Sequence, residues 1–241
     1  MAMLSETQVK NVYFDIIGGF PPAKILKELK EYNDEDKICV ACTQLDGHHD
    51  YLGITAREKK WILNEWIDFF KSNPKELKAL HFNSHVPKAL FDAACCQENL
   101  QELRFKWGNY ADLSALENLR NLKYLYIGSG ASVQDITSLG KLKSLAVLHL
   151  VSFKKIEDYF PLTTLDNLEQ LVIWGPMLGR TPVKDLEFLR EMPNLRSISI
   201  GNVTLRKKYT QGELANLRTS LPNLYDMNDF IPYITSRFQK P

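Results

Sequence analysis

One spacing constrains this chain more than any other feature. From residue 77 onward the order apolar, two free positions, apolar, one free position, apolar returns again and again. It stands at Leu77-Leu80-Phe82, Leu100-Leu103-Phe105, Leu122-Leu125-Ile127, Leu145-Leu148-Leu150, Leu168-Leu171-Ile173 and Leu195-Ile198-Ile200. Successive first leucines lie 23, 22, 23, 23 and 27 residues apart, and a weaker seventh copy starts at Leu224 with Met227. Upstream of these units the apolar residues recur at every third position, as in Leu113-Leu116-Leu119-Leu122-Leu125 and Leu186-Leu189-Met192-Leu195-Ile198. A period of three is neither the alternation of a half-exposed strand nor the 3.6 of an α-helix. It suits a 3₁₀ stretch or short helix that bends into a short strand.

A turn of about 23 residues cannot bury its own leucines, so turns must stack and share a continuous interior. Each fully buried leucine then contributes roughly 1.5–3 kcal/mol. With 44% hydrophobic and 24% charged residues, the chain has ordinary material for such a core.

The run from Asp112 to Ile127, DLSALENLRNLKYLYI, resembles a leucine-rich repeat of the short, internalin-like subclass of about 22 residues, and 135–150 and 161–173 resemble it too. The resemblance covers about residues 77–200. It implies an α/β solenoid, a curved right-handed coil with parallel strands on its concave face and a partner protein bound there, and it gives the chain a bacterial-like cast. One family feature is missing. The asparagine three residues after the last strand apolar is replaced by His85, Gly108, Gly130, Phe153, Pro176 and Val203. Glycine geometry or apolar packing must fill those bends instead.

A solenoid needs capped ends. Residues 1–76 read as an α/β N-terminal cap or as divergent, longer repeats, 77–223 as the leucine-rich repeats and 224–241 as a C-terminal cap carrying Phe230, Tyr233 and Phe238. Within the first segment, Val12 to Ile17 and Ile38 to Thr43 are expected strands and Pro22 to Tyr32 a helix. Thr55-Ala-Arg-Glu58 is a capping box opening a helix to about Ser72, with Trp61, Ile62, Trp66, Ile67, Phe69 and Phe70 covering core.

Lysine plus arginine (30) balance aspartate plus glutamate (29), so no broad field invites nucleic acid or an anionic membrane. Residues 1–19 lack the basic and apolar regions of a signal peptide, and no run reaches membrane-spanning length. Four cysteines make no disulfide framework, which predicts a cytoplasmic protein. Cys39-Val-Ala-Cys42, followed by His48 and His49, raises a metal or redox reading. Side chains three apart on a strand point to opposite faces, however, and an apolar run favours buried structural thiols. No phosphate loop, nucleophile elbow or zinc-protease motif occurs. The expectation is therefore no enzyme, no metal and no cofactor.

Function falls to the free strand positions, which face away from the core. They form three columns: Ala79, Glu102, Tyr124, Val147, Gln170, Ser197; His81, Arg104, Tyr126, His149, Val172, Ser199; and Asn83, Lys106, Gly128, Val151, Trp174, Gly201. Tyr124, Tyr126, Val147, Val151, Val172 and Trp174 gather around His149, with Trp107 just beyond its strand and Arg104 and Lys106 at one side. Aromatic anchors in a polar surround describe a protein-binding surface. The competing reading is that a tail or the N-terminal segment folds over the patch. The functional expectation is a non-catalytic protein-interaction module. Its alternatives are an inhibitor or immunity-type protein that blocks an enzyme or toxin, and a metal or redox protein using Cys39 and Cys42. Oligomeric state is open, since an apolar face also serves self-association. Two long loops, Gly175 to Asp185 and Gly201 to Gly212 with Arg206, Lys207 and Lys208, are either tolerated insertions or parts of the binding face.

Overall fold

The strand units of the repeat lie side by side in sequence order. In the computed structural model, which describes residues 4–10, 25–74 and 77–225, the principal sheet runs β1 (Ile25–Leu26), β2 (Lys37–Val40), β3 (Ala79–Pro87), β4 (Glu102–Asn109), β5 (Tyr124–Ile127), β6 (Val147–Val151), β7 (Gln170–Trp174) and then β9 (Ser197–Gly201). Every pairing is parallel. The chain is thus a leucine-rich-repeat solenoid of α/β class, with one strand per turn.

The period of three has its own structural form. Ser114–Asn118, Thr137–Lys141, Phe160–Thr164 and Glu187–Glu191 are 3₁₀ helices. An aspartate opens each one. Asp112, Asp135, Asp158 and Asp185 accept from the backbone N–H two residues on, at 2.8, 2.9, 2.9 and 3.0 Å. The short side-chain acceptor satisfies a donor that the helix start leaves free. Leu116, Leu139, Leu162 and Leu189 then point inward and are fully buried. They join the strand leucines in one core running the length of the stack.

An amide ladder holds successive turns on the side where the chain enters each strand. The side-chain amides of Asn121, Asn167, Asn194 and Asn223 donate to the carbonyls of Glu98, Lys143, Asp166 and Pro193 one turn earlier, at 3.1, 2.8, 2.8 and 3.0 Å. Ser144 makes the same bond to Arg120 at 2.8 Å. The asparagine that short leucine-rich repeats usually carry after the strand is missing, and this ladder stands before the strand instead.

The first segment continues the sheet, since β1 pairs with β2 and β2 with β3. The expected helix over 22–32 is corrected. Its described part is the strand β1 and a single 3₁₀ turn, Leu29–Glu31. Tertiary contacts decide this: Leu26 is buried beside Val40, and the Trp66 indole donates to the Lys27 carbonyl at 2.9 Å. The strand expected over 38–43 ends at Val40. The expected strand over 12–17, and Met227, Phe230, Tyr233 and Phe238, lie outside the described residues.

The capping-box helix forms as expected, as α2 (Ala56–Ser72); an earlier short helix, α1, spans Glu6–Lys10. Ile62, Trp66, Ile67 and Phe70 of α2 are buried, whereas Trp61 is exposed rather than core. A further helix, α3 (Lys88–Ala94), follows β3. Rings then connect these elements in sequence: Phe70 to Phe82 at 6.1 Å, Phe82 stacked on Phe105 at 5.5 Å, and Phe91 stacked on Tyr110 at 4.8 Å. At the far end Leu224 is buried and the Tyr225 amide donates to Arg196, so the repeat continues to the last described residue.

Candidate partner-binding face

The columns expected from spacing alone are in register. Arg104, Tyr126, His149, Val172 and Ser199 follow His81 strand by strand, all on the side opposite the leucines. Polar and aromatic contacts run across this face. His81 Nε2 lies 2.6 Å from Glu102, the Arg104 guanidinium 4.5 Å from the Tyr126 ring centre, and Tyr126 5.8 Å from the His149 ring. His149 Nε2 meets Gln170 Oε1 at 3.1 Å, and the Trp174 indole donates to Ser199 at 2.9 Å.

Exposure divides the face in two. At the strand exits Trp107 is 42% and Trp174 44% exposed, Lys106 is exposed, and Val151 is half-buried. Tyr124, Tyr126 and Arg104 are half-buried. Three residues expected on the open surface are not there: Val147, His149 and Val172 are buried, at 0, 2 and 5%. Trp107 also lies within β4, not beyond it, and faces His85 across a bulge in β3.

Residues 4–10 account for the burial of Val147. Leu4 and Val9 pack on Ala146 and Val147 in a small cluster of their own, flanked by Tyr124 and Tyr126. The segment is gripped where the chain enters the strands. The Leu4 amide donates to Glu169 at 3.2 Å, and Arg196 donates to the Leu4 carbonyl at 2.7 Å. Arg196 also pairs with Glu169 at 2.8 Å, and the Gln170 amide donates to the Gln8 carbonyl at 3.3 Å. Lys10 reaches the Tyr225 ring, 5.0 Å from its centre. Ser5 and Gln8 cap α1 reciprocally: Ser5 N–H donates to Gln8 at 2.9 Å and Gln8 N–H to Ser5 at 3.3 Å. Leu-Ser-x-x-Gln-Val is a capping box inside a hydrophobic staple, and the competing reading, an N-terminal segment folded over the patch, holds at Val147.

Electrostatically the centre of the face is quiet. Burial pushes the His149 pKa down to about 3, so the ring is neutral near pH 7. Burial raises the Cys39 and Cys42 thiols to about 12, which keeps both protonated. Among the described residues no cluster of three histidine, cysteine or acidic side chains is arranged to hold a metal ion. No described helix is long and apolar enough to cross a membrane.

The long loops pair with each other: β8 (Thr181–Val183) and β10 (Val203–Leu205) form a separate parallel ribbon. Their basic run is tied to neighbouring turns, Arg206 to Glu157 and Lys207 to Glu187 at 2.5 and 2.6 Å. Two of the three basic residues therefore serve the stack.

No protein-family profile matches the chain, and no curated protein matches it. Solved structures do. An internalin C2 of Listeria monocytogenes is 26% identical, with 58% of this chain aligned to 64% of that one at a TM-score of 0.43. An internalin of the same organism, InlF, is 18% identical over 62% of this chain and 46% of its own, with a TM-score of 0.42. A leucine-rich-repeat protein of Leptospira interrogans is 16% identical over 84% and 63%, with a TM-score of 0.34. The chain thus spans 64% and 46% of the two Listeria proteins.

Proposed function

We propose that the chain is a non-catalytic module that binds a partner protein on the exit half of its strand face, through Trp107 and Trp174 with Lys106, Val151 and the edge of the Arg104–Tyr126 pair. One observation carries the reading: two half-exposed indoles stand at the strand exits of a continuous parallel sheet. Half-exposed indoles beside exposed charge have the composition of interface anchors. The scaffold beneath them is preformed, so little ordering entropy opposes association. Four unbridged cysteines, three of them buried, suit a reducing compartment such as the cytoplasm.

Affinity capture from native cells, with wild type and with W107A/W174A, tests the proposal. The double variant is expected to lose the specific partner, with affinity down at least tenfold, and to keep its unfolding free energy within about 1 kcal/mol. Unchanged capture by a folded double variant overturns this site.

A further inference from the structure

The entry half of the same face already holds a peptide, the chain's own residues 4–10. Three independent contacts define what it recognises. A small apolar floor, Ala146 and Val147 between the tyrosines, takes two side chains five positions apart, Leu4 and Val9. The Glu169–Arg196 pair grips one residue's backbone at both its amide and its carbonyl. Gln170 takes a carbonyl four residues later. The cluster beneath Leu4 and Val9 is separate from the main core. The segment is therefore docked on a finished surface and is not part of the stack's interior.

We infer that this groove is a peptide-docking site, and that residues 4–10 occupy it in cis as a competitor for a partner segment of the same chemistry. That segment is one capped helical turn, carrying an apolar residue just before its cap and another at its fourth helical position. The inference deepens the protein-binding reading and rests on it: the partner anchors on the exposed tryptophans and inserts such a turn in place of the chain's own.

The test uses the full chain with Leu4→Asp/Val9→Asp, which places two charges on the apolar floor and releases the segment. A fluorescein-labelled synthetic peptide of residues 1–12 is titrated by anisotropy. Saturable binding to the released chain, at least tenfold tighter than to wild type, is expected. Val147→Asp added to the released chain should abolish it, and a peptide with both aspartates should not bind. Should Leu4→Asp/Val9→Asp fail to give a cooperative melt, Ser5→Ala/Gln8→Ala loosens only the cap and should give the same ordering with smaller amplitude. No binding to a folded released chain, or equal binding to released and wild-type chains, overturns the inference. W107A/W174A in the released chain should leave peptide affinity unchanged, so failure of the groove is distinguishable from failure of the exit-side anchors.

Discussion

Phe153 stands where a short leucine-rich repeat usually has asparagine, and its ring fills the bend after β6. It is fully buried, and a Cβ on Gly130 one turn earlier would come within 2.3 Å of it. Gly130 is thus glycine for space. Gly130→Ala should cost about 2 kcal/mol by overpacking and Phe153→Ala about 3–5 kcal/mol through the cavity left behind, both read by urea unfolding. His149 makes a second prediction at this scale. Its folded pKa is held near 3, against an ordinary 6.5. The unfolded chain therefore binds the extra proton first. Stability from this residue is fully present above about pH 6.5 and is lost as pH falls toward 3. His149→Gln should flatten the acid limb between pH 6 and 4 in denaturation midpoints measured across pH. An equally steep limb in the variant would show that other groups set it.

At the scale of elements, the ladder of Asn121, Asn167, Asn194 and Asn223 joins turns by single neutral hydrogen bonds. Removing one amide should cost about 0.5–1 kcal/mol. Asn121 and Asn194 lie three turns apart, so N121A/N194A should cost the sum of its parts within about 0.5 kcal/mol. Strong non-additivity in chemical denaturation would mean that the ladder acts as a unit. These elements also mark what the sequence makes legible. The six repeat strands and their register follow from the spacing, which admits 3₁₀ and short-helical connections alike; a helix, α3, follows β3, and 3₁₀ turns follow the later strands. The helix expected over 22–32 gave way to β1 because pairing with Val40 and a bond to Trp66 outweighed local propensity. The ladder of Asn121 and Asn167 is not legible from the repeat, because the repeat's asparagine belongs after the strand and these precede it. Spacing assigns Val147 and His149 to the outer face and does not say that residues 4–10 dock on Val147 or that His149 sits enclosed between Tyr126 and Gln170.

Over the whole molecule, the Glu169–Arg196 pair is where segment and solenoid meet. Their side chains are 8% and 21% exposed, and both also bond the backbone of Leu4. Such a pair is asymmetric in its energetics: removing one member leaves the other's charge desolvated, whereas removing both leaves none. Arg196→Ala removes the cation beside a carboxylate that is almost enclosed and frees the Leu4 carbonyl, and should cost about 3 kcal/mol. E169A/R196A also frees the Leu4 amide but keeps no buried charge, and should cost less than Arg196→Ala alone. A double-mutant cycle in urea measures the difference. If the double variant is the less stable of the two, the carboxylate holds Leu4 favourably even without its cation. If it is the more stable, the pair's weight lies in fixing where Leu4 docks, and its loss should appear as release of residues 4–10 in hydrogen exchange before any loss of the fold.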